Sequence, residues 1–237
     1  MKIIYVTDLH GNAAKYRRTL EVAQKNGVAA VINGGDMLPP DGGLQGSQKE
    51  FAEGFLSGHF SDYAAAGIAW LGMLGNDDLK IHDALFDRVC RKNKNIFNLA
   101  QRRIEWGGFE FLGLNWVTDY PFRLKDRCRR DGPGYIFQKQ YGAGLLSTPE
   151  GFRELADWPA YAEGLPDMGR ELAALLKPAN HGKAIYVIHM PPSGLGLDVI
   201  SSGEKVGSGA VGRFIEKKGP LLTLHGHIHE SPEISGI

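Results

Sequence analysis

Five short apolar runs punctuate this chain, and each ends in residues whose side chains can bind a metal ion. Residues 2–6 lead into Thr7-Asp8-Leu9-His10, residues 28–32 into Asn33-Gly34-Gly35-Asp36, and residues 68–74 into Gly75-Asn76-Asp77-Asp78. Residues 183–188 lead into His189-Met190-Pro191-Pro192, and residues 221–224 into His225-Gly226-His227-Ile228-His229. Apolar runs of this length are strand signals. After the first polar turn, Asn12 is placed as a helix N-cap, Leu20, Val22 and Ala23 form an apolar side, and Asn26-Gly27 is a stop. Strand, polar loop and helix in that order make an α/β layer, in which ligands collect at the carboxyl ends of the strands.

Taken singly, each loop has an ordinary explanation, because Asp and Asn are common turn residues and a lone His is usually a satisfied polar group. Taken together, Asp8, His10, Asp36, Asn76, His189, His227 and His229 would meet at one sheet edge. Seven ligands exceed what one ion needs from protein alone. They suit two adjacent divalent ions that share a carboxylate and a water or hydroxide.

The rest of the chain reads less evenly. Residues 37–47 form a Pro- and Gly-rich loop, and residues 48–66 a helix interrupted by Gly54 and Gly58. A helix follows over 79–91, and residues 102–106 and 109–114 flank Gly107-Gly108 as a hairpin, so antiparallel pairs are expected beside parallel ones. Helices are predicted at 149–157, 167–176 and 208–217, with a Gly-rich loop before the last. Residues 115–146 are irregular and hold Arg123, Lys125, Arg127, Arg129 and Arg130 among Tyr120, Phe122 and Tyr135. They read either as a solvated surface excursion or as a substrate-facing lid, in which Arg127 and Arg129 would offer paired donors to phosphate oxygens.

Bulk properties narrow the function. A chain of 237 residues, 43% hydrophobic, is expected to fold as one domain over 1–237. With 27 basic and 27 acidic residues the formal charge is +0, which argues against a polyanion-seeking surface and an obligatory nucleic-acid partner. No apolar run reaches membrane-spanning length, residues 1–6 meet Asp8 too soon for a signal-peptide core, and Cys90 and Cys128 read as free thiols. The expectation is a soluble cytoplasmic protein with no membrane partner.

Asp8-Leu9-His10, Gly35-Asp36, Gly75-Asn76-Asp77, His189 and Gly226-His227-Ile228-His229 together resemble, in order and over nearly the whole chain, the metal motifs of the calcineurin-like metallophosphoesterases. The resemblance implies an α/β fold of two mixed β-sheets packed as a sandwich flanked by helices, four layers in all. It implies that Asp8, His10, Asp36 and His229 hold one metal and Asp36, Asn76, His189 and His227 the other, with Asp36 bridging. His225 receives no ligand role. Strand-like alternation across Ile228 would send His227 and His229 the same way, and Gly226 would let the backbone approach the site. The donor set favours Mn or Fe, with Zn or Mg possible. The function implied is hydrolysis of a phosphodiester or phosphomonoester, the substrate being a small phosphoester or nucleotide. Two alternatives are a catalytically weak regulatory module and a nucleic-acid-processing phosphodiesterase that uses the Arg segment.

Asn76 and Asp77 are the candidate catalytic residues. Many members of the family carry His where this chain has Asp77, and an ionised Asp would repel phosphate unless burial or metals keep it protonated. His82 and His59, read as surface-helix histidines, are the possible substitutes for a general acid.

Overall fold

The computed structural model describes residues 1–40 and 44–236. The first half alternates strands with helices: β1 (Ile3–Val6), α1 (Ala13–Lys25), β2 (Ala30–Asn33), then α2 (Leu44–Glu50), a π-helical segment (Phe51–Leu56) and α3 (Ser57–Ala65), then β3 (Ala69–Gly72). Asn12 caps α1, its side chain accepting from the Lys15 N–H at 3.1 Å. The predicted break at Gly54 takes the form of the π-helical segment, while Gly58 lies inside α3 without interrupting it. Of the loop predicted over 37–47, Asp41, Gly42 and Gly43 lie outside the described residues, and helix begins at Leu44.

A 3-10 turn (Lys80–His82) and α4 (Asp83–Arg91) lead to β4 (Ile96–Asn98), a three-residue strand that the sequence did not announce. The predicted hairpin is β5 (Arg103–Trp106) with β6 (Phe109–Leu114), paired antiparallel. β7 (Val117–Thr118) and β8 (Cys128–Arg129) pair in parallel within the irregular region.

Residues 149–157, read as a helix, instead belong to a hairpin of β9 (Gly144–Thr148) and β10 (Gly151–Leu155). Pro149 and Glu150 form its two-residue turn, since Thr148 pairs with Gly151, and Gly151 takes φ 139°, which a helix cannot contain. α5 (Trp158–Glu163), α6 (Met168–Ala174), β11 (Ala184–Ile188), α7 (Gly209–Lys218), β12 (Leu222–Leu224) and α8 (Ser231–Ser235) complete the chain. Asp157, Asp167 and Ser208 cap α5, α6 and α7.

Two four-stranded sheets result, ordered β1-β2-β3-β4 and β12-β11-β6-β5. The described pairs of the first are all parallel, whereas the resemblance implied mixed pairing in both sheets. Helical connections between successive strands impose this direction. The second sheet is mixed, with β11 parallel to β12 and β6, and β6 antiparallel to β5. Alternation then distributes the apolar side chains. Ala30, Ile32 and Leu71 of the first sheet share a cluster with Phe111, Ile185 and Val187 of the second. Val31 and Trp70 pack with Tyr16, Phe60 and Phe86 of the first helices, and Leu112, Tyr186 and Ile188 with Trp158, Leu172 and Val211 of the last ones. Among the described residues no helix is long and apolar enough to cross a membrane.

Candidate metal centre

Backbone bonds between loops bring the strand ends together before any side chain is considered. The N–H groups of Asp8, His10 and Gly11 donate to the carbonyls of Gly35, Asp36 and Met37 at 3.0, 2.9 and 2.9 Å, and Gly226 N–H donates to the His189 carbonyl at 3.0 Å. Asp8, His10, Asp36 and His227 all adopt left-handed backbone, with φ of 55°, 43°, 49° and 72°. Such conformations cost a non-glycine residue on the order of 1 kcal/mol or more each, and they gather where function demands a fixed side-chain direction.

The side chains converge on two groups. Asp8, His10, Asp36 and His229 form one and Asp36, His189 and His227 the other, all donor atoms in a group lying within 4.8 Å of one another. Asp36 belongs to both. His10 Nε2 and His229 Nε2 are 3.1 Å apart, His229 Nε2 is 3.3 Å from Asp8 Oδ1, and His189 Nε2 is 3.3 Å from Asp36 Oδ2. Donors each about 2.1 Å from one cation sit roughly 3.0 to 3.4 Å from one another, so these separations fit a shared ion. Asn76 Oδ1 joins the second group at 2.9 Å from His189 Nε2. The His189 Nδ1–H donates to the Gly34 carbonyl at 3.0 Å, which turns Nε2 toward the centre.

Without a cation the electrostatics divide the four histidines into two held neutral and two held toward protonation. Burial holds His10 below its ordinary value and pushes His227 down to about 4, leaving neutral imidazoles with free lone pairs. Burial opposes charge on His189, yet Asp36 and Asp8 raise it to about 9, and a hydrogen bond to Asp8 raises His229. A cation would replace those protons. Asp8 and Asp36 stay below the usual carboxylate range despite burial, held there by His229 and His189. Burial, then the Asp36 charge, pushes Asp77 up to about 7.

His225 stands outside both groups, with Nδ1 3.0 and 3.1 Å from the carbonyls of Ile188 and Met190, as its reading without a ligand role required. The way His227 and His229 are presented differs from expectation. β12 stops at Leu224, so a left-handed turn at His227, and not strand alternation, aims the two rings. The His227 N–H donates to Asp8 Oδ1 and Oδ2 at 3.2 and 3.1 Å. Gly226 behaves as read, because a Cβ there would lie 2.2 Å from Thr7 Oγ1 and 2.6 Å from Asp8 Oδ2.

The Arg segment is neither a solvated excursion nor a lid at Arg127 and Arg129. Arg127 is 1% exposed, its Nε donates to the Gly75 carbonyl at 2.7 Å, and its guanidinium pairs with Asp83. Arg129 pairs with Glu171 at 2.7 Å and lies over the Trp116 ring at 3.8 Å. Distant acids that local sequence cannot reveal take both guanidiniums out of the substrate's reach. Arg127 thus supports the Asn76 loop from behind. His59 and His82 are buried, and His59 sits in a ring cluster with Tyr16, Phe55 and Tyr63, so neither faces the centre as a substitute acid.

Sequence reading missed two buried clamps. Asp78 accepts from Met37 N–H at 2.9 Å, Leu38 N–H at 2.7 Å and Gly75 N–H at 2.7 Å, tying the loop after Asp36 to the loop before Asn76. Gln48 donates to the Asp77 carbonyl and accepts from Leu79 N–H, both at 2.8 Å. The adjacent pair Asp77-Asp78 was the available signal, but sequence does not say which of two acids turns inward. Asp78→Ala is expected to leave three buried N–H groups without acceptors and to weaken metal binding about 10- to 100-fold, measured by competition with a chelating dye. Unchanged affinity would mean that the loops hold their register without it.

The centre opens into a cleft of about 900 Å³ whose lining includes Asp36, Asn76, Asp77, His227 and His229. A family model described as calcineurin-like phosphoesterase matches residues 1–231. Among solved structures, TT1561 of Thermus thermophilus is 18% identical with a TM-score of 0.56, over 94% of this chain and 80% of that one. A second is 15% identical with a TM-score of 0.58, over 95% of this chain and 83% of the other. At those identities the likeness concerns the fold. An archaeal phosphodiesterase aligns with 66% of this chain and 100% of its own at 16% identity and a TM-score of 0.31. Among curated proteins no relative matches.

Proposed function

Because this chain belongs to the calcineurin-like phosphoesterase family, we propose that it hydrolyses a small phosphoester with two divalent cations held by Asp8, His10, Asp36, Asn76, His189, His227 and His229. The observation that carries this reading is the presence of Asp36 in both donor groups, which lets one carboxylate serve two ions. Carboxylate, amide and imidazole donors favour Mn or Fe. Cations held there supply Lewis acidity, lowering the pKa of water and drawing charge from phosphoryl oxygens.

The chain's own residues do the rest. Asn76 donates from Nδ2 to Asp77 Oδ1 at 2.9 Å while its Oδ1 faces His189, so the amide is fixed at both ends. Asp77 lines the cleft beside the centre and is the group placed to hold a proton for the departing oxygen. His10 Nδ1 lies 4.0 Å from Asp77 Oδ2, beyond hydrogen-bond reach. The nucleic-acid alternative loses two of the cations it drew on, since Arg127 and Arg129 are committed inside the protein.

Protein loaded with Mn is expected to hydrolyse bis-p-nitrophenyl phosphate. Chelation should remove the activity and added Mn restore it. Turnover indifferent to the chelator would sink the reading, and two tightly bound metals without turnover of any ester would favour the regulatory alternative.

A further inference from the structure

The cleft beside the centre has one aromatic wall and one acidic one. A run of rings leads outward from the ligands, with centroids of His189 and His227 5.3 Å apart, His227 and Tyr120 5.8 Å, Tyr120 and Phe122 5.9 Å, and Phe122 and Tyr141 5.5 Å. Tyr120 is buried, with its hydroxyl donating to the Leu124 carbonyl at 2.7 Å and Lys125 Nζ 4.8 Å from its ring centroid. Phe122 and Tyr141 are 62% and 68% exposed. Two large neighbouring rings at the mouth of a cleft forgo burial that the fold gives most of its aromatics, which marks them as a surface for a ligand.

The remaining rim includes Ser201, Ser202, Glu204 and Glu230. Among the described residues no Lys or Arg lines the cleft; Arg123, next to Phe122 in sequence, is half-exposed and pairs with Glu154 at 3.1 Å, and Lys125 is fully buried against Asp119. Away from the metal centre, an entering phosphoryl group would therefore meet no Lys or Arg in the cleft lining. Glu204 and Glu230 penalise each further negative charge on the substrate.

Resting on the phosphoesterase reading, we propose that the substrate is a small, singly charged phosphodiester whose non-leaving side carries a planar aromatic group, a nucleobase or aryl ring, seated on Phe122 and Tyr141. Hydrolysis adds one water across the ester. The water oxygen forms a new bond to phosphorus as the P–O bond to the leaving group breaks, one proton ends on the leaving oxygen, and the other is released. The product monoester carries two charges, so the acidic rim also opposes its retention.

Three esters with one leaving group separate the possibilities: thymidine p-nitrophenyl phosphate, methyl p-nitrophenyl phosphate and p-nitrophenyl phosphate. With the Mn-loaded protein, kcat/KM for the thymidine ester should exceed that for the methyl ester by about tenfold or more, as stacking on an exposed ring predicts. In Phe122→Ala/Tyr141→Ala, whose sites are on the surface, that ratio should fall below about threefold. The monoester should show the highest KM of the three. Independently of turnover, saturation-transfer NMR of thymidine with the metal-free protein should saturate the base protons in the wild type and not in the double variant. A wild-type ratio near one, a ratio unmoved by the double substitution, or a preference for the monoester overturns the proposal. If no ester is hydrolysed with any divalent cation, the phosphoesterase reading is the one that fails, and the NMR result then decides whether the rings bind a base.

Discussion

Asp36→Asn is expected to lower kcat by on the order of 10³-fold or more and to reduce bound metal from two ions toward none, read by elemental analysis of the dialysed protein. The carboxylate is 1% exposed and contributes to both donor groups. Asn keeps the volume and can still accept the Asp77 N–H, which reaches Asp36 Oδ1 at 2.8 Å. It removes the negative charge and puts an amide nitrogen, which cannot coordinate, where one ion needs an oxygen. In the metal-free protein the substitution relieves repulsion with Asp8 and Asp77 but also takes the carboxylate partner at 3.3 Å from the buried His189, opposing effects that should leave the metal-free Tm within several degrees of wild type. That second measurement separates loss of the site from loss of the fold. A variant that held two ions and turned over within about tenfold of wild type would show that Asp36 does not bridge.

The parts of this molecule that could be read from sequence are those encoded over short distances. The strand ends, the Asn12 cap, the helix read over 208–217 and the Gly107-Gly108 hairpin each depend on a few consecutive residues, and the structure places them within a residue or two of where the pattern put them. The candidate ligands were legible because five strand ends repeated one chemistry. β4 was not, since three residues at Ile96–Asn98 carry no alternation long enough to notice. The segment after Thr148 was misread because Pro followed by Glu imitates a helix start, and only the pairing of Thr148 with Gly151 reveals the turn. Nothing near Arg127 names Asp83, nothing near Arg129 names Glu171, and Asp78 looks locally the same as Asp77. In each case a partner 42 to 44 residues away, or a buried neighbour, decides what the charge does.

Asp119→Ala is expected to destabilise the protein by about 3 to 5 kcal/mol, the range for removing one member of a buried ion pair. Asp119 and Lys125 are both 0% exposed in their side chains and meet at 2.8 Å. Asp119 Oδ1 also accepts Trp158 Nε1–H at 2.7 Å, and Oδ2 accepts from Gln140 Nε2 at 2.9 Å. Removing the carboxylate would strand a buried ammonium and an indole N–H together, and for a chain of this size the loss corresponds to a Tm lower by roughly 6 to 20 °C. Asp119→Ala/Lys125→Met should recover much of that loss, because no buried charge is left unpaired. Recovery of stability should not restore aromatic selectivity. Lys125 also donates to the Tyr120 carbonyl and sits over its ring, so the double variant, unlike Asp119→Ala alone, lacks one of the groups that hold Tyr120 between His227 and Phe122. Its KM for the thymidine ester should therefore lie above the wild-type value while its Tm returns toward wild type. If KM and Tm recovered together, the pair would serve the core alone and the aromatic wall would stand without it.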